Sequence, residues 1–220
     1  MIGVMRVRCA VVWVSMASLS LGAVGVLGCA PTRAPAAGDK DALAAGADGE
    51  YVVPGFDKRS YLVHVPKSWD GKRALPVVLA LHGGGGHDDS ALRITCAGGD
   101  EGSDTCLTAL GDREGFASVF PDGVPGDPFE DVRTWNAGGG ADGFQCVSGD
   151  ACKNNADDVT YLDAVLDEIE RALPVDDDRV FATGISDGGA MAERLACARS
   201  TRIAAIASVA AGNQVAEVKA

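Results

Sequence analysis

Residues 179–198 read RVFATGISDGGAMAERLACA: a short apolar run, a serine set between glycines, then a stretch rich in helix-forming residues. That order predicts a buried strand over 179–185 that turns sharply into a helix over 187–198. Glycine at 184 and 188 suits a strained turn in which a Cβ would crowd the neighbouring backbone. The serine in the turn, Ser186, has a helix N-terminus behind it, where developing negative charge is stabilised. In a chain with 29 glycines the G-x-S-x-G pattern alone is weak, and a plain strand-to-helix turn is its alternative reading. The context gives it weight, because this junction is where a nucleophile elbow places its serine.

The segments upstream fit the same chemistry. LPVVLALHG (75–83) is a continuous apolar run, as expected of a parallel strand covered on both faces. It leads into His82-Gly83-Gly84-Gly85-Gly86, a loop in which glycine lets a substrate carbonyl approach the backbone. The N-H of Gly83 and that of Asp187, the residue after the serine, are the candidate oxyanion donors. A dinucleotide loop fits poorly, since Asp88 stands where the third glycine of G-x-G-x-x-G belongs, and no Gly-Lys-Ser/Thr follows. His82 precedes the turn and reads as a structural histidine. RSYLVHVP (59–66) alternates as a half-exposed strand, a helix is expected near 104–113, and GFASVFPDG is a strand ended by Pro121-Asp122-Gly123. After a long loop over 121–156, Val159, Leu162, Leu166, Ile169 and Leu173 mark a helix over 157–173, opened by Asp157 and Asp158. A last strand covers IAAIASVAAG (203–212). Strands alternating with helices predict a three-layer α/β domain with a parallel sheet.

The N-terminus reads as an export segment. Arg6 and Arg8 precede an uncharged apolar run that ends in Val26-Leu27-Gly28-Cys29. The last four residues resemble a bacterial lipobox, so the expectation is a lipoprotein signal over 1–28 lipidated at Cys29 and anchored to a membrane. Cleaved secretion and a retained anchor are the alternatives. Residues 29–50, Ala/Gly/Pro-rich, read as a flexible tether to a domain over 51–220. Export agrees with cysteine usage, and short Gly/Ser/Asp-rich loops suggest pairing Cys96 with Cys106 and Cys146 with Cys152. Zinc is the weaker reading, as neither C-x-x-C nor a histidine stands at ligand spacing. Cys197 is left over, either buried and free or missing its partner. With 31 acidic against 19 basic residues the net charge is -12, which argues against a nucleic-acid partner. The clusters Asp100/Glu101/Asp104 and Asp176–Asp178 read as solvated loops.

RSYLVHVP, LPVVLALHGGGG, GFASVFPDG, TWN (134–136), DDVTYLDAVLDEI (157–169), DDRVFATGISDGGAMAERLAC and AAIASVAAG together resemble exported esterases of the polyhydroxybutyrate depolymerase and feruloyl esterase type. The resemblance runs from about residue 50 to 212 and implies an α/β-hydrolase fold. It also implies cleavage of carboxylic esters outside the cell through an acyl-enzyme on Ser186, with no metal or organic cofactor. Asp187 departs from the Asn common at that place, and its carboxylate would oppose an oxyanion if it pointed inward. The larger departure lies downstream. α/β-Hydrolases order their triad Ser, Asp or Glu, His, whereas the only side-chain carboxylates after Asp187 are Glu193, inside the expected helix, and Glu217, and no histidine follows Ser186. The expectation is therefore an esterase domain lacking its C-terminal strands and near-inactive as written, with the strand at 203–209 left as a bare edge. The second expectation is a non-catalytic envelope lipoprotein that binds polysaccharide or polyester. Trp135 reads equally as a pocket wall and as core packing.

Overall fold

The computed structural model describes residues 43–56, 58–138 and 149–212. The export segment, Cys29, residues 29–42 of the expected tether and Cys146 lie outside the described residues. The strands are β1 (Asp48–Val52), β2 (Ser60–His64), β3 (Leu75–Leu81), β4 (Ala117–Pro121), β5 (Val124–Pro125), β6 (Arg133–Thr134), β7 (Val175–Ile185) and β8 (Ala205–Val209). The α-helices are α1 (Asp88–Ile94), α2 (Leu107–Glu114), α3 (Gly149–Lys153), α4 (Asp158–Ala172) and α5 (Asp187–Ala198).

Six strands form one sheet in the order β1-β2-β4-β3-β7-β8. The β4-β3-β7-β8 part is parallel, and β1 and β2 add antiparallel strands at one edge. The fold class is thus the expected layered α/β architecture, with a mostly parallel sheet. Alternation along the strands builds a layer on each face. Val77, Leu79 and Leu81 of β3 share one face with Val119, Val180 and Ala182, and bury against α4 and α5 through Leu162, Leu166, Ile169, Met191 and Leu195. Burying each side chain of this size contributes roughly 1.5–3 kcal/mol before entropy. The opposite face is thinner, with Ala80 and Phe120 packed on Ala91 and Leu92 of α1 and Leu107 of α2.

Several boundaries differ from the sequence reading. The tether stops short of residue 50: Leu43 and Ala47 pack on the core, and Asp48–Val52 pairs with Ser60–His64 as β1. An edge strand whose residues alternate between exposed and half-buried carries a polar sequence, DGEYV, which reads as linker. The helix expected near 104–113 runs Leu107–Glu114 and starts at Cys106. Asp176–Asp178 belong to β7, where a register shift between Leu75 and Val77 accommodates them, Asp176 half-buried and Asp177 and Asp178 exposed. The loop over 121–156 contains β5, β6 and α3. α4 starts as expected, with the Asp157 carboxylate accepting the Thr160 N-H at 3.1 Å.

Cys96 and Cys106 form a disulfide, and Cys152 is also disulfide-bonded. Cys197 is free and exposed, which overturns the buried one of its two expected readings. It sits past the last buried residue of α5, Leu195, where the helix turns to solvent. Among the described residues no helix is long and apolar enough to cross a membrane.

Candidate active site

β7 ends at Ile185 and α5 starts at Asp187, so the whole turn is one residue, Ser186. Its backbone lies at φ 54° and ψ -118°, a conformation that costs an ordinary residue of order 1–3 kcal/mol and persists only where its surroundings hold it. Here the Ser186 N-H donates to Val209 O at the end of β8 (2.8 Å), and its carbonyl accepts the Ala190 N-H (3.0 Å) as the first turn of α5. The side chain is exposed at the C-terminal end of the parallel strands.

The flanking glycines are required by close packing. A Cβ on Gly188 would lie 2.3 Å from His82 O and 2.4 Å from Leu81 O, and one on Gly184 would lie 2.4 Å from the Gly188 carbonyl. Helix α5 therefore starts hard against the end of β3. That contact brings the two candidate oxyanion segments together: a Cβ on Gly83 would be 3.7 Å from Ser186 Cβ, and one on Gly84 would be 3.6 Å from Asp187 Cβ. The rest of the glycine loop is pinned, with Gly85 N-H on Arg133 O (2.7 Å) and Gly86 N-H on Gly83 O (3.0 Å).

The Asp187 carboxylate is engaged by the TWN segment. Its Oδ2 accepts the Trp135 N-H at 2.8 Å, and the Trp135 indole N-H donates to His82 O at 3.0 Å. Trp135 is fully buried, so it is a core side chain that clamps the elbow to the glycine loop. His82 is buried beside it, with ring centroids 4.9 Å apart. The His82 Nε2 accepts the Gly123 N-H (2.9 Å), which leaves the proton on Nδ1 facing Gly83 O (2.8 Å). Burial holds this imidazole down at about 4, so it is neutral and structural. The other histidines are also engaged away from the serine: His64 between Asp48 (2.5 Å) and Asp112 (3.0 Å), and His87 on Asp89 (2.7 Å).

Beneath the loop lies a buried charged network that the sequence reading missed. Arg59 pairs with Asp158 at 2.6 Å, stacks 3.5 Å from the Tyr161 ring centroid, and donates to Asp122 O (3.1 Å). Asp158 also accepts the Asn136 N-H (2.5 Å), which fixes the TWN segment. Asp122 accepts the Asp88 N-H (3.0 Å) and pairs with Arg133 (3.0 Å). Burial, then the neighbouring Asp88, push the Asp122 carboxyl up to about 7 against the pull of Arg133 and Arg59. His87, Asp88 and Asp89 place three potential ligand atoms within 4.8 Å of one another, although Asp88 is already occupied by Ser60 (3.1 Å) and the Asp89 N-H (2.7 Å).

An exposed serine thus stands in a strained strand-to-helix turn against a glycine loop. The profile of the family described as "Putative esterase" matches residues 57–213. The chain belongs to this esterase family. Proteins named "Probable feruloyl esterase C" from Aspergillus niger and Aspergillus clavatus are 27% and 28% identical over 76% and 89% of this chain. The esterase chain spans 50% and 60% of their length. Its fold is similar to that of an acetyl xylan esterase from Aspergillus awamori, with a TM-score of 0.53 at 17% identity over 77% of this chain and 53% of that one. S-formylglutathione hydrolase from Staphylococcus aureus superposes with a TM-score of 0.50 at 13% identity, over 76% of this chain and 57% of that one. These likenesses show an α/β-hydrolase fold.

Proposed function

We propose that this esterase is an exported serine carboxylic-ester hydrolase in which Ser186 is the nucleophile. It attacks an ester carbonyl and forms an acyl-enzyme, while the N-H groups of Gly83 and Asp187 stabilise the oxyanion. The observation that carries this reading is the Ser186 turn at φ 54°, exposed and packed against the Gly83–Gly84 backbone. Export is supported by the Cys96–Cys106 disulfide and by the apolar segment that ends in Cys29, where a lipid anchor would attach. The substrate class is an ester of extracellular polymer, feruloylated polysaccharide or polyester. No histidine follows Ser186, and His64, His82 and His87 are engaged elsewhere, so these 220 residues by themselves turn esters over slowly. In a dissected triad enzyme the oxyanion hole and binding alone retained ~10³–10⁴ over water.

Hydrolysis of p-nitrophenyl acetate by the chain and by Ser186→Ala tests this. We expect a low rate above buffer that the substitution removes. Equal rates would overturn the enzymatic reading of these residues and favour a protein that binds polysaccharide or polyester without cleaving it.

A further inference from the structure

Phe129 is the most exposed large apolar side chain among the described residues, at 70% relative exposure, and Val132 beside it is 48% exposed. Both lie on the tight loop between β5 and β6, closed by the Val132 N-H on Phe129 O (2.9 Å) and the Gly126 N-H on Val132 O (3.0 Å). This hairpin is attached directly to the glycine loop: Gly86 and Arg133 form a β-bridge, and Val132 Cγ1 lies 3.9 Å from where a Gly85 Cβ would be. Phe129 lines a cleft of about 240 Å³ whose polar wall is Asp127, Thr134, Asp150 and Lys153, where the Asp150 carboxylate also accepts the Asp127 N-H (3.3 Å) and pairs with Lys153 (3.4 Å). A single apolar face is therefore presented beside the oxyanion segment, ringed by hydrogen-bond acceptors and one cationic donor.

We infer that this cleft is a sugar-ring subsite, in which a pyranose unit of an ester-bearing polysaccharide stacks its C-H face on Phe129 and directs its hydroxyls to Asp127 and Asp150. Hydroxyl donors match carboxylate acceptors. An aliphatic polyester offers ester oxygens but no donors, so covering this wall with it would desolvate Asp127 and Asp150 without replacing their hydrogen bonds. The aromatic face provides the apolar contact area, and the polar rim provides the discrimination. The inference rests on the esterase reading only for the direction in which the polymer is presented, since the binding itself does not involve Ser186.

The test is co-sedimentation of the full chain with insoluble arabinoxylan and, separately, with polyhydroxybutyrate granules, a readout that requires no turnover. We expect binding to arabinoxylan in preference to the granules, with Phe129→Ala about tenfold weaker. Phe129→Tyr keeps the flat ring and retains binding, whereas Phe129→Leu keeps apolar area without a ring and loses it, so loss of stacking is separated from loss of fold. Failure to sediment with arabinoxylan, preference for the granules, or full affinity in Phe129→Ala would overturn the subsite. Equal ester hydrolysis by wild type and Ser186→Ala would overturn the esterase reading and leave this result standing.

Discussion

Around Ser186 the constraints are steric before they are chemical. Because a Gly188 Cβ would sit 2.3 Å from one backbone carbonyl and 2.4 Å from another, neither of which is a flexible side-chain end, Gly188→Ala has to push α5 off β3. We expect a loss of about 3 kcal/mol in denaturant unfolding, the upper end of overpacking costs, and wild-type stability would refute that packing. The titrating groups below the loop give a second prediction. Asp122 is raised from 3.8 to about 7 by burial and by Asp88, so the folded state holds its proton more tightly and this stabilisation is lost as pH climbs from about 4 to about 7. His82 is lowered from 6.5 to about 4 by burial, so its contribution runs the other way, lost as pH falls from about 6.5 to about 4. Asp122→Asn removes the first effect alone. Its melting temperature relative to wild type should therefore rise between about pH 5 and about pH 7.5, and a gap that does not change with pH would contradict the raised Asp122.

At the level of elements, the parts legible in the sequence were those whose burial pattern is local. LPVVLAL reads as a strand because both of its faces are covered, and α4 reads as a helix because Leu162, Leu166 and Ile169 recur on one side of it. β1 was hidden because an edge strand needs few apolar residues, and α1 because seven residues are too few for a period to show. The elbow was legible through its glycines, which report a close approach. The buried charged network beneath the glycine loop was not, because Arg59 and Asp158 are 99 positions apart and nothing in either segment announces the pairing. Asp158 looked like a helix-start carboxylate. Asp157 does that work, and Asp158 holds α4 to the segment before β2. Breaking a buried pair strands the remaining charge, so we expect Asp158→Ala to cost about 3–5 kcal/mol in chemical denaturation, against about 1 kcal/mol for Asp157→Ala, and equal costs would count against that division of roles.

For the molecule as a whole, the two edges of the sheet among the described residues differ: β1 (DGEYV) carries Asp48 and Glu50, whereas β8 carries no charge. Among the described residues β8 is an edge, and its sequence, AIASV, contains neither charge nor proline to discourage pairing with another strand. The 220-residue chain should self-associate in light scattering after gel filtration, and Ala207→Lys should shift it toward monomer. A monodisperse, cooperatively melting wild type would contradict this. The same sheet positions the chemistry: β3 delivers the glycine loop, β7 delivers Ser186, and Val209 at the end of β8 receives the Ser186 N-H. The claim that these segments form the nucleophile and oxyanion parts of a hydrolase is tested most directly by prolonged reaction with an alkyl fluorophosphonate followed by peptide mapping. The account predicts slow formation of one adduct on the peptide containing Ser186, absent in Ser186→Ala. Labelling spread over other surface serines, with Ser186 unmodified, would contradict it.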